Sequence, residues 1–310
     1  MSIKMNKILC VGHSACDITY VLHEYPIENR KYKADETKIM GGGPTGNAAY
    51  LLGKFGEFPS YITTLGKDLY GDLIVKELES VQVDLKNSLV KEGYTTPCSM
   101  IITNTSNGSR TILNHRNKNL IPSDYKIDYS LEPEIVLFDG HEIELARMTL
   151  DTFPKAVTIL DAGSYKEETV ELAQKVDYLI CSEDFARDYT KVDRLTEENY
   201  REVFSKLEDL NGKTVVITLG EKGCIYRKDG ELYNFPAFKT KAIDTTGAGD
   251  IFHGAFVYSL GKGYDFIETI KFSSVCASLS VEKIGGRESI PELKDVYERM
   301  EKWQSTDFKI

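Results

Sequence analysis

The chain predicts an α/β architecture, one large and mostly parallel sheet covered by helices, with a small β-rich lobe standing off it. Three observations carry this. From Glu134 onward, short apolar runs alternate with helical stretches in the rhythm of βαβ units. Residues 7–11 form an apolar run ending in Gly12-His13-Ser14, as a strand buried on both faces does. Residues 18–39 and 95–113 are also β-rich but irregular and more polar, which suits exposed strands outside the main sheet. A length of 310 residues leaves room for one large domain plus such a lobe.

Composition narrows the function. The 41% hydrophobic content suffices for a core, and 48 Asp+Glu against 38 Lys+Arg give a formal charge of −10. That balance argues against nucleic acid or an anionic membrane as a partner. Any anionic ligand must then be gathered by local cations and backbone N–H groups. No stretch approaches the ~18 apolar residues of a membrane span. Residues 1–6 lead straight into a strand without a small-residue cleavage site, so a cytoplasmic protein is expected. Cys10, Cys16, Cys98, Cys181, Cys224 and Cys276 are scattered, mostly through apolar surroundings, as reduced core cysteines are. His13, His23, His115, His141 and His253 show no zinc-site spacing.

In open α/β sheets ligands gather beyond the strand C-termini. Asp17, just after the first strand, is therefore a candidate for holding a substrate hydroxyl; the plainer reading is a turn carboxylate. Gly41-Gly42-Gly43-Pro44-Thr45-Gly46-Asn47 opens a helix over 48–55, closed by Gly56. The run nearly spells a P-loop, but Asn47 and Ala48 replace the required Lys and Ser/Thr, so a Walker-type NTPase is excluded. Residues 60–65 read as one strand and 69–78 as a helix. Asn104 to Gly108 is a strong hairpin signal joining 95–102 to 109–113, with Arg110 inside it and His115 and Arg116 just beyond. Strands at 135–138, 157–160, 178–181 and 214–219 alternate with helices at 143–150, 167–175 and 197–207. Asp139, Asp161 and Ser182-Glu183-Asp184 follow strands and so face the crevice. Thr218 to Gly223 is a Gly-x-x-Gly turn before a hairpin, 224–227 and 231–235. The helix at 266–283 is rich in Ser and Ala, which permits close approach of another helix or of a flat ligand.

The most informative stretch is Asp244-Thr245-Thr246-Gly247-Ala248-Gly249-Asp250, running into an apolar helix. Its glycines free the backbone where a helix begins, so unpaired N–H groups and the positive end of the dipole make an anion site. Asp250 would sit in the first turn beside that anion. A carboxylate repels a bound phosphate, so binding alone explains it poorly. It makes sense as the group that takes a proton from a hydroxyl attacking the phosphate. The dipole favours the ionised form, which predicts a weak base. For an arbitrary Gly-x-Gly-Asp, a simple helix cap would be the better reading.

The whole stretch, with the aromatic and small residues that follow, resembles the second signature of the ribokinase (PfkB-type) carbohydrate kinase family. Residues 41–47 resemble the first. The resemblance implies a three-layer αβα ribokinase-like fold with a mostly parallel central sheet. Its core would be 1–17, 40–94 and 119–310, and a β-sheet lid of 18–39 and 95–118 would cover the sugar site. It implies ATP-dependent phosphorylation of a ketohexose- or ribose-like sugar, with ATP and Mg2+. Asp250 would be the base, and the N–H groups of Gly247, Ala248, Gly249 and Asp250 the anion hole. Asp17 and Asn47 would bind sugar hydroxyls, with Gly42 and Gly43 letting the sugar approach. Arg110 resembles the substrate-contacting arginine of ketohexokinases; with His115 and Arg116 it could meet a terminal anion on a phosphorylated or sulfonated ketose. Thr218, Gly220, Gly223, Ala277 and Gly285 lie where the family holds its nucleotide. Asp244, Thr246, Ser280, Lys283, Gly285 and Ser289 lie where potassium-activated members place cation ligands. Glu183 is a candidate for magnesium, although Ser182-Glu183-Asp184-Phe185 departs from the family's Asn-x-x-Glu. Asp68 and Gly71 would shape a helix start. Apolar lid residues Tyr20, Val21, Leu22 and Ile101 would need cover, which a lid-to-lid homodimer would give. A nucleoside kinase shares the Gly-Ala-Gly-Asp signature and stays open as an alternative. A catalytically silent sensing module is a second, against which Asp17, Asn47 and Asp250 argue. A dehydrogenase lacks its Gly-x-Gly-x-x-Gly after the first strand.

Overall fold

A computed structural model describes residues 8–116, 121–303 and 307–310. The first half of the chain gives β1 (Ile8–Val11), β2 (Ala15–Leu22), β3 (Glu36–Gly42), α1 (Pro44–Lys54), β4 (Ser60–Ile62), β5 (Thr64–Gly66), α2 (Leu69–Ser80), β6 (Leu89–Lys91), β7 (Cys98–Asn104) and β8 (Ser109–His115). Then come β9 (Ile135–Phe138), α3 (Ile143–Thr152), β10 (Val157–Ala162), α4 (Glu167–Ala173), β11 (Tyr178–Ser182), α5 (Glu183–Thr190), α6 (Tyr200–Asn211) and β12 (Thr214–Thr218). The chain continues through β13 (Cys224–Lys228), β14 (Glu231–Phe235), α7 (Ala248–Gly261), α8 (Phe266–Ser280), α9 (Leu293–Lys302) and β15 (Phe308–Lys309).

Nine strands join in the order β15-β14-β13-β12-β11-β10-β9-β1-β4. The six from β12 to β4 are parallel, because helical crossovers return the chain to the same end each time. The other three add antiparallel at the edge. Alternation along each parallel strand sends its side chains into two cores. Ile8 and Cys10, Ile135 and Leu137 pack with Leu51, Ile74, Phe256, Phe272 and Val296 of α1, α2, α7, α8 and α9. Leu9 and Val11, Val136 and Phe138 pack with Leu145, Leu172, Phe185 and Phe204 of α3 to α6. Two helical layers around one sheet are the three-layer αβα arrangement that the sequence predicts.

Four strands, in the order β3-β2-β7-β8, form a second sheet. The expected boundary at residue 18 falls inside it, since β2 starts at Ala15 and β3 runs on to Gly42. Asp17 is thus a strand residue of the small sheet, not a loop carboxylate. The open apolar residues of this sheet are only partly those expected: Tyr20 is exposed at 37%, but Val21, Leu22 and Ile101 are buried at 3%, 8% and 2%, whereas Ile39, Met100 and Leu113 are exposed at 53%, 43% and 58%. Ile39, Ile18, Met100 and Leu113 stand in one cross-strand row on the outer face. The expected single strand at 60–65 is two, because after Thr63 the chain leaves the main sheet and β5 pairs with β6 instead.

Candidate active site

Helix α7 begins with Gly247 in the left-handed region, at φ 75, and no side chain caps it. Ile251 N donates to the Gly247 carbonyl at 2.9 Å, but among the described residues no acceptor meets the N–H groups of Gly249 and Asp250. They lie open at a helix start. The rest of the helix is buried nearly all round, between the sheet, α1 and α8, so the loop is held on a fixed support.

Asn47 Nδ2 donates to Asp250 Oδ2 at 2.7 Å, joining two motifs 203 residues apart. Asn47 Oδ1 is buried without a partner. The dipole alone predicts an ionised, weakly basic Asp250. Instead burial pushes this carboxyl above the usual range, against the Asn47 bond and the nearby His253 and Arg110 that pull it down. Desolvation outweighs the dipole. One turn along the same helix, His253 lies beside three acceptors. Nδ1 faces the Gly249 carbonyl at 2.6 Å and Asp161 Oδ2 at 3.2 Å, and Nε2 faces the Ile180 carbonyl at 3.2 Å. Burial raises the Asp161 carboxyl to about 6, with His253 opposing and Asp250 adding to the rise.

Helix α1 likewise starts on a glycine, Gly43, with no cap of its own. Its cap comes from elsewhere in the chain. Asp139, at the end of β9, accepts from Thr45 N at 3.2 Å and His13 N at 2.7 Å through Oδ2, and from His141 N at 3.0 Å through Oδ1. Burial would push this carboxyl up, but His141 and His13 hold it well below the usual range. Beside it, Asp17 packs so closely on Gly42 that a Cβ there would lie 1.9 Å from Oδ2, so only glycine fits. Burial raises the Asp17 carboxyl to about 7; Ser99 opposes this and Asp250 reinforces it. Arg287, itself buried, pairs with Glu77 Oε2 at 2.6 Å, and the same oxygen accepts from Gly41 N at 2.9 Å. This pair fixes the glycine turn.

Part of this set lines one cavity of about 540 Å³ between the main and small sheets, whereas Asp139, Asp161, His253, Arg287 and Gly42 stand behind its wall. Asp17, Gly43, Asn47, Thr246, Gly247 and Asp250 lie on it together, with Arg110, His115 and Arg116 from the small sheet's side. The inward parity of β8 carries Arg110, Ile112 and Asn114 onto this face. Arg110 Nη1 donates to Thr245 Oγ1, tying the hairpin to the loop before α7. Arg116 Nη2 donates to Glu142 Oε1 at 2.7 Å and to the His141 carbonyl at 2.9 Å.

Other expected residues lie outside this lining. Thr218 ends β12, and its Oγ1 donates to the Cys181 carbonyl at 3.3 Å. Gly220 opens the next turn, and Gly223 admits the Phe235 carbonyl of β14 in close approach. Ala277 sits on α8; Gly285 lies against Met40 of β3 rather than facing an open slot. Glu183 is the first residue of α5. The six expected cation ligands converge only in part. Asp244 accepts from Thr246 N at 3.0 Å, Thr246 Oγ1 at 2.7 Å and Gly285 N at 2.9 Å. The Ser280 and Gly285 carbonyls accept from Lys283 N and Ser289 N, at 3.2 Å each. Asp68 caps α2 through Gly71 N at 2.8 Å. Sequence reasoning missed His253, Lys166 and Arg287. His253 was findable as the i+3 neighbour of Asp250, and Lys166 as a charge soon after a strand end. Nothing local marked Arg287.

A three-layer α/β core with an open helix start and a carboxylate beside it in one cavity suits phosphoryl transfer, and the comparisons give the class, an ATP-dependent phosphotransferase. The pfkB family carbohydrate kinase model matches residues 5–293, and the chain belongs to that family. It is 26% identical to a ribokinase of Staphylococcus aureus (strain COL) over 94% of this chain and 98% of that one. It is 26% identical to a ketohexokinase of Mus musculus over 86% and 93%. The crystal structure of a ribokinase from Thermotoga maritima superposes with TM-score 0.80 and 28% identity, covering 95% of this chain and 99% of that one. Kinases of this family use ATP and Mg2+.

Proposed function

We propose that the chain transfers the γ-phosphoryl group of ATP to a hydroxyl of a ketohexose- or ribose-like sugar. The observation that carries this is the 2.7 Å bond by which Asn47 holds Asp250 at the start of α7, in one cavity with Asp17. Asp17 and Asn47 hold sugar hydroxyls, Gly42 and Gly43 leave the backbone open to the ring, and Arg110 closes over it. Asp250 takes the hydroxyl proton late, as befits a loose transition state, and its raised basicity suits the task. The N–H groups of Gly247, Gly249 and Asp250, with that of Ala248 once it leaves the Thr245 carbonyl 3.4 Å away, stabilise charge on the transferred group, each well-placed donor contributing about 3 kcal/mol. Thr218, Gly220, Gly223, Ala277 and Gly285 are the proposed nucleotide contacts.

Bound Mg2+ would neutralise charge on the phosphate oxygens. Such an ion is carried by the phosphates with one or two carboxylates. Glu183 is the proposed carboxylate. A monovalent cation is proposed between the loops of Asp244, Thr246, Ser280, Lys283, Gly285 and Ser289. The Asp244 carboxylate and the Thr246 hydroxyl, 2.7 Å apart, are the oxygens that support it, and equal turnover in potassium-free buffer would refute it. The small sheet acts as a lid excluding water. A second copy covers its outer row of Ile39, Ile18, Met100 and Leu113; a monomer in sedimentation would refute that.

The test is ADP release with Mg-ATP across fructose, ribose, tagatose, 2-keto-3-deoxygluconate, sugar phosphates, a sulfonated ketose and adenosine. Asp250→Asn should lower sugar-stimulated turnover ~10²–10⁴-fold with sugar affinity largely intact. Turnover within a few-fold of wild type would remove Asp250 as the base. Saturable sugar binding without turnover would favour a silent sensing module.

A further inference from the structure

We infer that the sugar carries a terminal oxyanion (phosphate, sulfonate or carboxylate), held by Lys166 and Arg116 at the end of the cavity away from Asp250. The inference rests on the kinase reading above. Along β8 the cavity carries Arg110 near the loop before α7, where it bonds Thr245 and acts on Asp250, and Arg116 six residues further on; Asp17 lies between them, its strand neighbour Ser99 pairing with Asn114. The end away from Asp250 gathers Arg116 after β8, Lys166 before α4, His13 after β1 and His141 after β9. Four separate segments converge there in a chain of net charge −10, so this is no solvated charge run.

The counter-charges at that end are already engaged. Glu142 pairs with Arg116, and Asp139 accepts from three backbone N–H groups. Lys166 makes no ion pair among the described residues. Its amine is pushed down first by desolvation and then by Arg116. The His13 ring stacks on His141 at 5.3 Å. Burial, then His141 and Arg116, push it down to about 3, and Lys166 adds to this. His13 Nδ1 is buried with no partner. A neutral sugar would leave the Lys166 amine desolvated and repelled by Arg116. An oxyanion relieves both penalties and accepts charge-assisted bonds from Lys166 and Arg116.

The experiment measures kcat/KM and calorimetric affinity for matched pairs, fructose against fructose 6-phosphate and against its 6-sulfonate, and a neutral against a carboxylate-bearing sugar. At least one anionic member should exceed its neutral counterpart by about 100-fold in kcat/KM. Lys166→Met should shrink that ratio about tenfold, chiefly through KM, and steepen no salt dependence. Neutral sugars turned over as well as anionic ones, or a ratio unmoved by Lys166→Met, would overturn the inference and leave the kinase reading standing. Tight binding of an anionic sugar without phosphoryl transfer would support the inference and refute the kinase reading. Binding of neither member of any pair would overturn both.

Discussion

Gly249→Ala separates the anion loop's chemistry from its architecture. Gly249 is the second residue of α7 and lies outside the left-handed region. A Cβ built on it meets nothing within 4 Å. Folding therefore loses no contact and gains helix propensity, which stabilises by about 0.5–1 kcal/mol and raises Tm on the order of 1–2 °C for a chain of this size. The open space, however, is where the proposed reading puts the transferred phosphate. A methyl there holds the anion off the Gly249 and Asp250 N–H groups, and turnover should fall about 10²–10³-fold. Gly247→Ala provides the contrast. At φ 75 a side chain is strained, so that variant should lose about 1 kcal/mol of stability as well as activity. Thermal melts and coupled ADP release read both effects. A Gly249→Ala enzyme with wild-type turnover would refute the placement of the anion hole.

Asp17 should govern both stability and substrate capture. Its folded pKa of about 7 lies above the model-compound value of 3.8, so the folded state holds its proton more tightly. Stability from this group is full below pH ~4 and lost as pH rises through about 7. Asp17→Asn should therefore be more stable than wild type at pH 8, by on the order of 2–4 kcal/mol, with the advantage vanishing near pH 4; denaturant titrations at both pH values check it. Glu77→Ala leaves the buried Arg287 guanidinium unpaired and frees the Gly41 N–H, so stability should fall about 3 kcal/mol. A loss below 1 kcal/mol in the same titration would show that the pair is not holding the glycine turn.

Much of this molecule is legible from local pattern, and the exceptions share a cause. Parallel strands buried on both faces appear as short apolar runs, so β1, β9, β10, β11 and β12 are readable. The anion loop is readable because glycines, dipole and carboxylate all lie within seven residues. What escapes is set by partners far along the chain. The break after Thr63 depends on β6, some 25 residues on. The cap of α1 comes from Asp139, 94 residues from Thr45. Which apolar residues of the small sheet face outward depends on its seating against the core, which alternation alone does not fix. Desolvation escapes for the same reason: the dipole at Asp250 is written locally, whereas the burial that overrides it comes from both sheets.

The two halves of the proposed sugar site belong to different sheets and their helices. Asp17, Ser99 and Arg110 ride on the small sheet, while Asn47 and Asp250 belong to the helices of the main one. A sugar bridging them acts as a hinge pin. If the small sheet closes as proposed, affinity and closure become one equilibrium, and the measured dissociation constant would be the intrinsic one divided by the fraction of molecules already shut. Arg110, bonded to Thr245 across the seam, would then add to that fraction before any substrate arrives.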